Sequence, residues 1–576
     1  MKALVLAAAL ALGGGCAAPE RRAPKEGMVV CEHPLAAEVG ARLLSQGGNA
    51  ADAAVATALA LAVVYPQAGN LGGGGFALWA ADRGEVLALD FREVAPASAD
   101  AARLFDERGD ALQNLLLWSP LGVGVPGSPA GLEALLARCG SGRFTLEQLC
   151  APAIELARRG FEVDAHLAQE LHDEESRERF ELSPAAMALF YPAGEALREG
   201  ARLVQPELAR TLELYAEAGS KGFYRGETAQ ELVAELERAA QSLPEGERWD
   251  AGWIQSADLE RYEPVWREPL RGQFRGREVW TMPPPSSGGV VLLQVAAVLE
   301  RAGKIGSAFD ATFAHALAEA FRLAFAERAE VLGDPAFVRV PLDTLLGDAW
   351  IARASQSLGE RAALDVVPQV RREGMNTTHL SVVDREGNAV ALTTTLNSTF
   401  GSGRMVEGAG FLLNNELDDF ALGGGVRNQF GLVGSEANKL RAGARPLSSM
   451  TPTIVREQGR VELVLGSPGG PRIITAVTQV FLRVLAFGEP LADAVAAPRL
   501  HQQWSPRVTR IERGFPEPIE RDLRSRGHEV ERSTGTFASV QAISVARDGG
   551  VSGASDPRRG GAARSDAPER EERGEN

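Results

Sequence analysis

The sequence predicts an α+β chain, and three observations carry that expectation. Amphipathic helical patterning runs with short breaks from about residue 101 to 345, as in "LVQPELARTLELYAEAG" and "FAHALAEAFRLAFAERAEVLG". After residue 376 the period becomes that of strands, in "THLSVVD" and "AVALTTTLN", joined by the turn-rich "DREGN". The composition, 45% hydrophobic and 24% charged over 576 residues, is globular, with ample chain for a large core. That length allows several domains or one large assembly, and there is no internal repeat.

The elements follow in chain order. "MKALVLAAALALGGGCAAPE" has the form of an export signal, with Lys2 as a short positive region, an apolar run over residues 3–12 and small residues before Cys16. The run is too short to span a membrane. Cys16 after "LGGG" resembles a degenerate lipoprotein box, with Leu12 one place early for the usual branched residue at Gly13. Residues 1–16 are therefore expected to be a signal peptide with Cys16 as a lipidation site, or a plain signal peptide with an incidental Cys. Residues 17–27, polar and Pro-containing, read as a linker. In "HPLAAEVGARLLSQGG", Leu35, Val39 and Leu43 share one helical face, and Gly47-Gly48 stops the helix. "NAADAAVATALALAVVYP" is apolar on nearly all sides and suits a buried helix. "GNLGGGGFALWA" lacks the Gly-Lys-Ser/Thr ending of a phosphate-binding loop, and Phe76–Trp79 read as a strand, so the glycines point to close backbone packing. "MPPPSSGG" is a rigid loop opening a helix. Beyond residue 376, "TPTIVRE" and "VELVLGS" are further strands. Residues 559–576, charged and nearly free of apolar side chains, are expected to be disordered.

Charge and ligand types exclude some functions. A formal net charge of -16 without a Lys/Arg run argues against nucleic-acid binding. The seven histidines are scattered with no pair at ligand spacing, so no metal is expected. Besides Cys16 there are three cysteines, too few for a disulfide framework; Cys139 and Cys150 either bridge or remain separate buried thiols.

"NTTH" (residues 376–379) opens the first strand after the change of period. A threonine hydroxyl is a weak nucleophile without a base. An N-terminal threonine carries its own base, the free α-amine. A mid-chain threonine acquires that amine only if the preceding peptide bond is cut, by hydroxyl attack to an ester that water then hydrolyses. Taken alone, Thr-Thr at a strand start is equally an ordinary β-forming pair.

The neighbouring motifs decide how this pair is read. They are "DFREVAP" (90–96), "GVGVPGSPAGL" (122–132), "LGDPAF" (332–337), "TTTLNSTFGSG" (393–403), "LLNNELDDF" (412–420), "RPLSSMTPTIV" (445–455) and "GSPGGPRIIT" (466–475). Together, from about residue 28 to 558, they closely resemble the γ-glutamyltranspeptidase family of N-terminal-nucleophile hydrolases. The resemblance implies a four-layer α-β-β-α sandwich, made from one precursor cut between Asn376 and Thr377 into a heavy chain (28–376) and a catalytic light chain (377–558) that stay associated. It implies Thr377 as nucleophile, Thr395 as the residue that keeps it poised, and His379 as a support for processing or packing. Arg92 would bind the substrate α-carboxylate with Ser448 and Ser449. Glu416 and Asp419 would bind the α-ammonium, and Asn397 would lie near the same end. The chemistry agrees, since a guanidinium fork suits a carboxylate and carboxylates suit an ammonium. Gly469 and Gly470 would form the oxyanion hole, where backbone N–H groups face the developing charge.

Two positions depart from the family pattern. Glu416 stands where some members have Gln. Phe430, in "GGGVRNQFGLVGS", stands where bacterial members often carry a lid tyrosine, so a hydrogen bond from the lid to the threonine pair would be missing. The implied activity is cofactor-free transfer of the γ-glutamyl group of glutathione and related compounds to water, amino acids or dipeptides. The implied location is the periplasm, or a membrane by a lipid anchor. Two rivals are an acylase of the same family, such as a cephalosporin acylase, and an uncleaved, inactive γ-glutamyl-binding lipoprotein. Arg92, Asp419, Ser448 and Ser449 count against the first; intact Thr377, Thr395 and the glycine pair count against the second.

Overall fold

A computed structural model describes residues 20–241, 252–363, 377–423, 426–535 and 537–567. Asn376, the signal segment with Cys16 and the last nine residues lie outside the described residues. Most of the strands fall into two large antiparallel sheets, beside a small three-stranded and a two-stranded one. The first runs Ala562–Ser565, Met28–Cys31, Thr377–Val383, Ala389–Thr395, Gly74–Ala80, Val86–Phe91, Val265–Arg267. The second runs Val551–Ser555, Gln541–Val545, Arg460–Gly466, Thr453–Glu457, Arg277–Thr281, Leu270–Phe274.

Alternate side chains of the first sheet enter two different cores. Val30, Phe76, Leu78 and Ala391 face the second sheet and pack with Val464 and Ile543. Val29, Ala77, Leu380 and Leu392 face the other way, onto a helical layer around Ala50–Val64. That helix begins at an Asn49/Asp52 capping box, and all 15 of its residues are buried, which explains its apolar circumference. Helices Gly288–Arg301, Ala311–Val331 and Arg472–Phe487 supply the core around the second sheet. The layers are thus helix, sheet, sheet, helix.

The glycine run behaves as close packing requires. A Cβ on Gly73 would lie 2.0 Å from the Thr395 carbonyl oxygen, and one on Gly75 would lie 2.2 Å from that of Thr393. Bare backbone there lets Gly74–Ala80 pair along the whole of Ala389–Thr395.

Three expectations are corrected. Arg21, within the expected linker, is 4% exposed and pairs with Glu457 and Glu462, each at 2.7 Å, so the chain is tied to the second sheet from there. Among the described residues, the helical stretch 101–345 contains five strands: the short pair Phe161–Glu162 and Arg202–Leu203, then Val265–Arg267, Leu270–Phe274 and Arg277–Thr281. The last two meet at Arg275-Gly276, both with positive φ (48 and 78), a hairpin turn without the usual Asn-Gly signature. Part of the expected disordered tail is built into the fold: Ala562–Ser565 pairs with Met28–Cys31, and Asp566 accepts from Gly27 N and from Arg385. Cys139 and Cys150 are free, buried thiols, each pushed up to about 12 by burial.

Candidate active site

Odd-numbered positions of Thr377–Val383 point between the two sheets, and this places Thr377 and His379 on one face. The register sets Thr395 opposite Thr377 and Thr393 opposite His379. Thr377 Oγ1 lies 3.3 Å from Thr395 Oγ1, and Asn397 N donates to Thr395 Oγ1 at 2.9 Å. Asn397 has φ +79, a left-handed conformation that Asn tolerates, and its side-chain amide donates to the Asn415 carbonyl. Thr378 points to the helical layer, opposite Thr394, with its Oγ1 buried and unpartnered. Among the described residues His379 makes no hydrogen bond to Thr377. Its Nδ1 is 2.8 Å from Thr393 Oγ1 and its Nε2 3.1 Å from Ser381 Oγ, and burial pushes the imidazole down to about 3.

Thr377 and Thr395 open onto a pocket that Arg92, Asn397, Glu416, Asp419, Ser448, Ser449 and Gly470 also line. Arg92 follows the strand Val86–Phe91 and is 1% exposed. Its Nη1 pairs with Glu416, its Nη2 donates to Asp419 Oδ2 at 2.7 Å, and its Nε donates to the Pro446 carbonyl. Burial opposes its charge, but Glu416, Glu93 and Asp419 together outweigh that and hold it cationic. Burial pushes the Glu416 carboxyl well above the carboxylate range, against the pull of Arg92, and Asp419 moves up for the same reason. Glu416 Oε2 has no hydrogen-bond partner, and a cationic ligand beside it would draw the buried carboxyl back to its ionised form.

Gly469 and Gly470 precede helix Arg472–Phe487 with φ of +127 and +55, conformations that favour glycine. Among the described residues neither N–H donates to another protein group. Gly470 lines the pocket and Gly469 adjoins it. The Phe430 ring covers Gly470, where a Cβ would come within 3.0 Å of it.

Two residues here were not singled out from sequence. Glu93 is fully buried, neither of its carboxyl oxygens is hydrogen-bonded, Oε2 forms an ion pair with Arg92 Nη1 at 3.6 Å, and burial pushes it up to about 7. Arg328, on helix Ala311–Val331, donates to Ser287 and Ser449 behind the pocket. Glu93 adjoins Arg92 in "DFREVAP", which was a usable clue. Arg328 sits in a helix of ordinary amphipathic pattern and gave none.

The family model described as gamma-glutamyltranspeptidase matches residues 36–565. The chain belongs to the γ-glutamyltranspeptidase family. This γ-glutamyltranspeptidase-family chain is 42% identical over 540 residues to the glutathione hydrolase proenzyme of Escherichia coli (strain K12), covering 93% of this chain and 90% of the relative. It is 40% identical to the Pseudomonas aeruginosa glutathione hydrolase proenzyme, covering 92% of this chain and 93% of the relative. Among solved structures, the cephalosporin acylase of Bacillus halodurans superposes with TM-score 0.82 at 27% identity, covering 96% of this chain and 99% of that one. The four-layer fold expected from the motifs is therefore the family's own.

Proposed function

We propose that this chain is a self-processing γ-glutamyltransferase and glutathione hydrolase. The observation that carries the reading is one pocket in which a strand-opening threonine meets the reader of an amino-acid zwitterion, a guanidinium beside an unpartnered carboxylate oxygen. The Thr377 hydroxyl attacks the Asn376 carbonyl, the amide nitrogen leaves as the α-amine of Thr377, and water hydrolyses the resulting ester. In turnover that amine takes the hydroxyl proton as Thr377 attacks the γ-amide. Gly469 and Gly470 donate to the oxyanion, and Thr395 holds the nucleophile. Collapse transfers the proton to the departing amine, Cys-Gly for glutathione. Water or an acceptor amine then takes the glutamyl group from the threonine ester, without a cofactor.

Arg92, Ser448 and Ser449 bind the α-carboxylate, and Glu416 and Asp419 the α-ammonium, with Asn397 at the same end. An acylase whose acyl group lacks the ammonium has no use for the second set, which favours γ-glutamyl over glutaryl substrates despite the acylase superposition. Residues 28–376 and 377 onward form the heavy and light chains. No helix among the described residues is long and apolar enough to cross a membrane. Export through residues 1–16, to the periplasm or to a lipid anchor on Cys16, belongs to the same proposal. Fractionation of cells carrying the full chain or Cys16→Ala checks both.

Wild-type protein is expected to run as two bands on a denaturing gel and to cleave a γ-glutamyl anilide, faster with Gly-Gly present. Thr377→Ala is expected to stay whole and to lose at least 10³-fold in rate, the scale at which a catalytic group is lost. A normally cut Thr377→Ala protein, or turnover of a glutaryl but not a γ-glutamyl anilide, overturns the assignment.

A further inference from the structure

Arg328 lies outside the residues so far given a role in binding, yet it is 4% exposed and its guanidinium reaches the rear of the pocket. Its Nε donates to Ser287 Oγ at 2.8 Å and its Nη2 to Ser449 Oγ at 3.3 Å. Ser287 passes the restraint on: its Oγ donates to the Ser448 carbonyl at 2.6 Å, and its N–H to the same oxygen at 2.8 Å. One guanidinium therefore holds one serine by its side chain and the next by its backbone.

The direction of these bonds has a chemical consequence. A guanidinium has only donors. Ser449 Oγ must accept from it, so the single Ser449 proton has to point elsewhere. Ser448 Oγ likewise accepts, from Met450 N at 3.1 Å. Neither serine hydroxyl donates to a protein group among the described residues, and both line the pocket. Two O–H donors beside Arg92 form a receptor for an anion with two oxygens.

We propose that Arg328 is a positioning residue that sets Ser448 and Ser449 as donors and so makes the enzyme select for the substrate's α-carboxylate. The inference rests on the γ-glutamyl reading and adds to it how that selectivity is built. Burial pushes the guanidinium down to about 10, with Asp419 acting against the shift, so it is cationic at neutral pH. Lysine does not replace it, because a point charge lacks the fork that spans Ser287 and Ser449.

Three anilides separate the possibilities. The γ-glutamyl anilide carries both α groups, the 4-aminobutyryl anilide keeps the ammonium without the carboxylate, and the glutaryl anilide keeps the carboxylate without the ammonium. Arg328→Met is expected to lower kcat/KM for the γ-glutamyl anilide by about 10- to 100-fold, mainly through KM, the range for a lost charge-assisted hydrogen bond. The loss on the 4-aminobutyryl anilide is expected to be at least tenfold smaller. Arg328→Lys recovers only part of the difference. Arg328→Met combined with Ser449→Ala costs little more than either change alone. Ser287→Ala removes one leg of the support without touching a charge; it is expected to show the same selective loss, smaller in size, and stands as the test if Arg328→Met fails to mature. Equal losses on the two amine-bearing anilides in either variant, or no loss, overturn the proposal. A wild-type enzyme that prefers the glutaryl anilide instead sinks the γ-glutamyl reading on which it rests.

Discussion

Thr377 and His379 are neighbours on one strand face, yet their surroundings assign them different work. Thr377 opens onto the pocket, whereas His379 is sealed between the sheets with both ring nitrogens engaged by hydroxyls. Its burial has a measurable pH signature. The folded imidazole titrates at about 3 against 6.5 for the free group. The depressed value means that the stability it confers is complete above pH 6.5 and is lost as pH falls toward 3. In that window each pH unit costs about 1.4 kcal/mol for this group. His379→Asn is therefore expected to flatten the dependence of unfolding free energy on pH between 6.5 and 4 by about that slope. Urea unfolding at several pH values reads it, and parallel curves for the two proteins would show that His379 is charged or exposed. Glu93 carries the opposite sign: its raised value, about 7, means that its contribution is present below 4.5 and is lost as pH rises through 7.

At the scale of elements, the segment carrying Phe430, the position where the resemblance implies a lid tyrosine in many bacterial members, is tied down by polar contacts. Gln503 Nε2 donates to the Phe430 carbonyl at 3.1 Å, and Gln503 Oε1 lies 2.7 Å from His501 Nε2. Asn428 accepts from Phe430 N and donates to Asp419 Oδ1 at 2.9 Å, which couples the cover to the proposed ammonium site. In the proposed mechanism, covering Gly470 would restrict water at the acyl ester. Gln503→Ala is expected to raise the hydrolysed share of product at fixed Gly-Gly by about fivefold, from the ~1 kcal/mol net value of one hydrogen bond. An unchanged product ratio would place the restraint elsewhere. The contiguous motifs made most of this site legible in advance: Arg92, Glu416, Asp419, the two serines and Gly470 converge on one cavity. Arg328 was not legible because only tertiary packing brings helix Ala311–Val331 behind Ser449. Strands 265–281 were missed because their burial is partial and their polar residues mimic a helix face.

For the whole molecule, the C-terminal strand shows how little apolar content an edge needs. Ala562–Ser565 has only two apolar residues, and nothing in its charged surroundings suggests order. What fixes it is the exposed ladder of Met28–Cys31, together with the anchor of Asp566 on Gly27 and Arg385. Removing residues 562–576 is expected to destabilise the protein by on the order of 3 kcal/mol, at about 1 kcal/mol net per ladder hydrogen bond. The drop would appear as a lower thermal midpoint, and an unchanged midpoint would mean that the edge needs no cover. The sheets also explain why residues 28–376 and 377 onward do not read as separate domains. Met28–Cys31 pairs with Thr377–Val383, Gly74–Ala80 with Ala389–Thr395, and Arg277–Thr281 with Thr453–Glu457.

That interleaving gives maturation a direction in time. Before a cut at Thr377, both halves of each sheet are tethered, and folding is a unimolecular search. After it, the same sheets must be rebuilt by two separate chains that meet at micromolar concentration rather than at the far higher effective concentration of one polymer. Recovery from denaturant is then expected to depend on protein concentration for the matured enzyme and not for the Thr377→Ala precursor. The cut would act as a ratchet, leaving the enzyme held in its fold by a barrier that it can no longer easily recross from the other side.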